Sequence, residues 1–155
     1  MSGESLNILL VEDNEDHAEL IQRSFRENQV ANKIYWVKDG EEALDYLFQR
    51  GAYTDNTSRL SPHLILLDLR LPKVDGIEVL KAIKTDDKLK TIPVVVLTSS
   101  ESEKDIRKVY KYYANSYLVK PIDFQQFTML MRDLGFYWLG WNKHPFSAWE
   151  LPGTQ

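Results

Sequence analysis

Five times along this chain a short apolar run gives way to polar residues, and an amphipathic stretch follows. The runs lie at residues 7–11, 34–37, 64–67, 94–98 and 117–119. Unbroken apolar runs of this length suit strands buried on both faces. After them, apolar residues recur at three- and four-residue spacing, the helical period. The inward faces read Ala18, Ile21 and Phe25; then Ala43, Leu44, Leu47 and Phe48; then Ile77, Leu80 and Ile83; then Ile106, Val109, Tyr110 and Tyr113; and last Phe124, Phe127, Met131 and Leu134. Strand–helix alternation predicts an α/β fold: a doubly wound five-stranded parallel sheet with helices on both faces. Right-handed crossovers set every strand's carboxyl end along one edge.

Local signals punctuate the pattern. Asp13 or Asn14 is placed to cap the first helix, and Ser100 with Glu103 reads as a capping box for the fourth. Asp39-Gly40 and Asp75-Gly76 read as turns. Residues 50–62 carry Gly51, Asp55, Asn56, Ser61 and Pro62 and form a long loop, either mobile or facing a partner.

Composition narrows the function classes. The 155 residues suffice for one domain with a real core. A net charge of −4 provides no basic footprint, so nucleic acid is not an expected partner. Cysteine is absent, which removes thiol chemistry and suits a cytoplasmic location. The polar amino terminus does not read as a signal peptide, and no apolar run is long enough for a membrane span.

The edge formed by the strand ends collects Glu12 and Asp13, then Asp68, Thr98 and Lys120. Ligands of open α/β sheets bind along this edge. Three crowded carboxylates repel one another unless a divalent cation relieves them, and magnesium favours such hard oxygens. Aspartate is a competent nucleophile toward phosphorus. Lys120 and a metal neutralise charge on phosphoryl oxygens, and the Thr98 hydroxyl donates to another. Asp68 is therefore the candidate nucleophile, with Lys120 and Thr98 as its catalytic partners.

These residues sit in four motifs: VED at residues 11–13, LLDLRLPKVDG at 66–76, VVVLTS at 94–99 and SYLVKPI at 116–122. In this order and spacing they resemble the receiver domains of bacterial two-component response regulators, a flavodoxin-like fold. The resemblance implies that Asp68 accepts a phosphoryl group from a histidine kinase. It implies that Asp13 and Asp68 bind Mg2+ with the Arg70 backbone carbonyl, and that Glu12 acts through water. Lys120 would pair with the phosphate, Thr98 would be the switch hydroxyl and Tyr117 the switch aromatic. It also implies a cis Lys120–Pro121 bond. Glu12 departs from the commoner aspartate but keeps the charge. Arg70 stands where receivers vary, either shielding the acyl phosphate from water or contacting the kinase. His17 reads as a surface residue.

The domain reading is a receiver over residues 1–140 and an aromatic tail over 141–155. No output domain is expected, so the signal would leave by protein contact. Trp138, Trp141, Phe146 and Trp149 sit in or beside the tail, which either folds back or meets a partner. A homodimer through the fourth helix, fifth strand, fifth helix and tail is expected. The long loop and aromatic tail resemble the stand-alone regulators paired with phytochrome-type histidine kinases. Two other functions compete. A haloacid-dehalogenase-type phosphatase needs an acid two residues after its nucleophile, where this chain has Arg70. A pseudo-receiver scaffold would not use phosphorylation at all.

Overall fold

In the computed structural model, which describes residues 5–55 and 60–143, five strands form one parallel sheet. They are β1 (Leu6–Val11), β2 (Asn32–Val37), β3 (Leu64–Leu67), β4 (Val94–Thr98) and β5 (Ser116–Val119), in the order β2-β1-β3-β4-β5. The helices are α1 (Glu15–Arg26), α2 (Gly40–Phe48), α3 (Gly76–Lys84), α4 (Glu103–Lys111) and α5 (Phe124–Gly135). A π-helical segment, Phe136–Trp141, continues α5. The predicted five-stranded doubly wound sheet is therefore observed.

Alternate residues of the central strands face opposite layers. Leu9, Val11, Ile65, Leu67, Val94 and Val96 pack with α2, α3 and Val109 of α4. Ile8, Leu10, Leu64, Leu66, Val95 and Leu97 pack with α1 and α5. Both faces are covered, which is why these strands read as unbroken apolar runs. Trp138 and Leu139 join the α1–α5 layer, so this part of the aromatic segment folds back on its own domain. Trp141 is exposed. Phe146, Trp149 and His144 lie outside the described residues.

Several local expectations need correction. The two Asp-Gly pairs are helix starts rather than free turns. Asp39 accepts from the Glu42 N–H at 2.7 Å and Asp75 from the Ile77 N–H at 3.2 Å, each capping its helix. Each glycine then allows a close backbone approach. A Cβ on Gly40 would stand 1.9 Å from the Val74 carbonyl oxygen, and one on Gly76 would stand 2.3 Å from that of Asp68. The cap of α4 is Ser102, which accepts from the Asp105 N–H, and not Ser100. Tyr110, Tyr113 and Phe124 are exposed. Helix α4 buries only Asp105 and Val109, and the buried face of α5 begins at Phe127, one turn beyond its first residue. No peptide bond among the described residues is cis, so Lys120–Pro121 is trans.

The loop after α2 is tied down at both described ends. It opens with a 3-10 turn, Gly51–Tyr53, whose Tyr53 is buried. The Tyr46 hydroxyl donates to the Leu60 carbonyl at 2.7 Å and accepts from the Leu60 N–H at 3.2 Å. Tyr35 stacks on Tyr46 with centroids 4.8 Å apart. Residues 56–59 of the loop are outside the described range.

Candidate functional site

Register alone brings the acids together. Val11 of β1 lies opposite Leu67 of β3, so the next residues, Glu12 and Asp68, emerge side by side. The Asp68 N–H still donates to the Val11 carbonyl at 3.1 Å. Thr98 lies opposite Val119, and the following Lys120 N–H bonds the Thr98 carbonyl at 2.8 Å. Short strands thus present four of the candidate side chains, Glu12, Asp68, Thr98 and Lys120, along one edge with backbone precision.

Lys120 sits at the centre of the group. Its ammonium donates to Glu12 Oε1 at 2.7 Å and to Asp68 Oδ2 at 3.0 Å. Glu12, Asp68 and Lys120 are all buried, and Thr98 is completely so. Two buried acids facing one buried cation leave one negative charge in excess before Asp13 is counted. Burial, against the pull of Lys120 and with the neighbouring Asp68 charge adding to it, raises the Glu12 carboxyl from 4.5 to about 7. Asp13 is exposed at the rim, and one carboxylate oxygen from each of Glu12, Asp13 and Asp68 lies within 4.8 Å of the others. A hard-oxygen trio with surplus negative charge fits a divalent cation.

His17 belongs to this site, contrary to the surface role expected of it. Its Nδ1 lies 3.1 Å from the Lys120 ammonium, so the neutral imidazole accepts the third ammonium proton. Burial, then the Lys120 charge, holds its pKa below the usual histidine value. The ring also meets Phe127 edge-on, with centroids 5.3 Å apart. One signal was available in the sequence. His17 falls one helical turn beyond Asp13, and Asn14, the cap of α1, fixes that turn by accepting from the His17 N–H.

The second unforeseen feature leads away from the site toward α4. The Arg70 N–H approaches Asp68 Oδ1 at 3.4 Å, and its guanidinium pairs with the Asp105 carboxylate. Asp105 also accepts from the Ser100 hydroxyl at 2.7 Å. The Ser100 carbonyl in turn accepts from the Tyr117 hydroxyl at 2.9 Å. Ser100 leads these causes in lowering the Asp105 pKa, with Arg70 adding to it. Thr98 Oγ1 accepts from the Ser100 N–H at 3.4 Å, a weak contact that leaves its own proton free to donate.

A parallel sheet in this strand order, with paired acids, a buried lysine and a strand-end hydroxyl along one edge, defines the receiver class. The chain belongs to that family: residues 8–132 match the response regulator receiver domain. Among its relatives, the probable methanogenesis regulatory protein FilR2 of Methanothrix harundinacea is 49% identical, over 91% of this chain and 88% of its own length. Response regulator Rcp1 of Synechocystis is 40% identical, over 85% of this chain and 88% of its own. The Mn(2+)-bound structure of Rcp1 superposes with a TM-score of 0.86 at 38% identity, covering 91% of this chain and 99% of that one. The phosphorylated cyanobacterial phytochrome response regulator RcpA gives the same TM-score at 43% identity, covering 92% of this chain and 100% of that one.

Membership carries several general properties. Receiver domains bind a divalent metal, take histidine kinases as partners and serve as signalling proteins rather than as classical enzymes. No helix among the described residues is long and apolar enough to cross a membrane.

Proposed function

We propose that this chain is a phosphorylated signalling regulator in which Asp68 is the acceptor. The observation that carries the reading is the buried Lys120 ammonium, held 3.0 Å from Asp68 Oδ2 by a second buried acid. The Asp68 carboxylate attacks the phosphorus of a phosphohistidine on the kinase. The P–N bond breaks as the O–P bond forms, and the kinase imidazole leaves, taking up a proton. Lys120 turns its charge onto a phosphoryl oxygen, and Thr98 donates its hydroxyl proton to another. Asp13, Asp68 and the Arg70 carbonyl would hold Mg2+, with Glu12 acting through water. That ion supplies charge neutralisation for the transferring group. Movement of Thr98 toward the phosphate draws Tyr117 further inward and reshapes the α4–β5–α5 face.

The expected setting is the cytoplasm. The expected input is a phytochrome-type histidine kinase, a reading supported by the names of Rcp1 and RcpA. FilR2 is named as a probable methanogenesis regulatory protein, which supports a second signalling context for this chain. The expected output is a homodimer through α4, β5, α5 and the tail; exposed Tyr110, Tyr113, Met129, Tyr137 and Trp141 favour it.

The test is incubation with acetyl phosphate and Mg2+, followed by intact-mass measurement. The wild type should gain one phosphoryl group and Asp68→Asn none. Labelling that survives in Asp68→Asn would reassign the acceptor, and an unlabelled wild type would favour a pseudo-receiver scaffold. Competition between a phytochrome-type kinase and an unrelated one, scored by phosphotransfer rate, tests the input.

A further inference from the structure

The Arg70–Asp105 pair spans from the loop after β3 to the first turn of α4. Its two ends differ. The Arg70 side chain is 59% exposed, whereas that of Asp105 is 11% exposed. Asp105 is also fixed independently of Arg70. The Ser100 hydroxyl donates to its carboxylate at 2.7 Å, and its N–H bonds the Ser102 cap at 3.3 Å. Asp105 is thus a fixed anion, and Arg70 is a solvent-exposed cation parked on it.

The parking place matters because of where Arg70 begins. Its backbone N–H is 3.4 Å from Asp68 Oδ1, so the side chain starts at the mouth of the phosphoacceptor site. A guanidinium matches two oxygens of a phosphoryl group as well as it matches a carboxylate. An ion pair whose cation is mostly in solvent is weak enough to exchange.

We propose that Asp105 is a positioning residue for Arg70: it draws the guanidinium off Asp68 in the resting protein, and phosphoryl oxygens on Asp68 compete for it. Two consequences follow. Asp105 lowers the stability of the phosphorylated form by holding back a cation that would otherwise shield it. Phosphorylation, by taking Arg70, removes a tether from the amino terminus of α4. Ser100 then becomes a junction, since its hydroxyl holds Asp105 and its carbonyl holds the Tyr117 hydroxyl. This route rests on Asp68 being the acceptor, and it runs beside the one through Thr98.

The test measures binding of beryllium trifluoride with Mg2+ to the full chain by titration calorimetry, and phosphoryl half-life after acetyl phosphate. Five proteins are compared: wild type, Asp105→Asn, Asp105→Glu, Arg70→Ala and the Arg70→Ala/Asp105→Asn double variant. Releasing Arg70 in Asp105→Asn should tighten binding roughly three- to tenfold, the range for one partly exposed charged hydrogen bond, and lengthen the half-life. Arg70→Ala should weaken binding. In the Arg70→Ala background, Asp105→Asn should then change nothing. Asp105→Glu, which keeps the charge, should stay near wild type.

An equal effect of Asp105→Asn in both backgrounds would make Asp105 merely structural and overturn the proposal. Unchanged binding in Arg70→Ala would overturn it from the other side, and that exposed substitution keeps the test available should Asp105→Asn fail to fold. If the wild type itself takes neither beryllium trifluoride nor phosphate, the acceptor assignment falls too. Normal wild-type binding with all five proteins indistinguishable removes this proposal alone.

Discussion

Lys120 gives its three protons to Glu12, Asp68 and His17, and the site's electrostatics follow from that one residue. Replacing it with methionine keeps the bulk but strands two buried carboxylates. Loss of one partner from a buried ion pair costs about 3–5 kcal/mol. Metal-free Lys120→Met should therefore melt well below wild type in a thermal scan, and added Mg2+ should recover part of the loss. Glu12 gives a matching pH prediction. Its carboxyl pKa is raised in the fold from 4.5 to about 7. Its contribution to stability is thus fully present below pH 4.5 and is lost as pH rises through 7. At 1.36 kcal/mol per unit this is about 3 kcal/mol at most. His17, lowered in the fold, works in the opposite sense across the same range. The readout is therefore the difference between wild type and Glu12→Gln in urea unfolding from pH 5 to 8 with chelator. Relative to the variant, wild type should lose stability with rising pH. A constant difference would refute the raised Glu12 pKa.

At the scale of elements, two backbone contacts help clamp the loop between β3 and α3. Gly76 donates its N–H to the Leu69 carbonyl at 2.9 Å, and Gly40 donates to the Pro72 carbonyl at 3.3 Å. Any Cβ at Gly76 meets backbone atoms of Asp68 and Leu69, which have no rotamer by which to yield. Gly76→Ala should thus displace Asp68 itself, costing about 1–3 kcal/mol in urea unfolding and slowing phosphorylation by acetyl phosphate together. A stability loss with normal phosphorylation would show that the strain is absorbed on the helix side. Helix α4 offers a contrast between two serines. Ser102→Ala removes its cap and should cost about 1 kcal/mol. Ser100→Ala leaves the cap in place and should alter phosphoryl half-life more than stability. The sequence pointed to Ser100 because a glutamate follows it at capping-box spacing. Ser102 prevails because the helix begins two residues later, with Asp105 in its first turn. Helix boundaries are weakly encoded where the buried face is as small as that of α4.

Across the whole molecule, the features most legible in the sequence were those imposed by burial on both faces of a sheet. Unbroken apolar runs marked β1, β3 and β4, and their ends marked Glu12, Asp68 and Thr98. Less legible were contacts between side chains far apart in the chain, such as Lys120 with His17 and Arg70 with Asp105. No periodicity records which polar side chains from separate elements will meet. The sheet edge at β5 belongs to the same class of problem. Its residues are only half-buried; α4 exposes Tyr110, the turn after it Tyr113, α5 Met129, and the π-helical segment Tyr137 and Trp141. Trp138 and Leu139 turn inward from that segment, which fixes its orientation and leaves the exposed rings outside. Rigid aromatic rings lose little entropy on association, so this surface is suited to a second copy of the chain. Sedimentation velocity with and without beryllium trifluoride should therefore detect a dimer. The pair Tyr137→Ser and Trp141→Ser should weaken it at least tenfold, about 1.4 kcal/mol, while leaving acetyl-phosphate labelling intact. If wild type stays monomeric in both states, the α4–β5–α5 face serves a different partner. If the dimer forms but both substitutions leave it unchanged, the contact lies elsewhere, and the exposed rings are left for the kinase or a downstream protein.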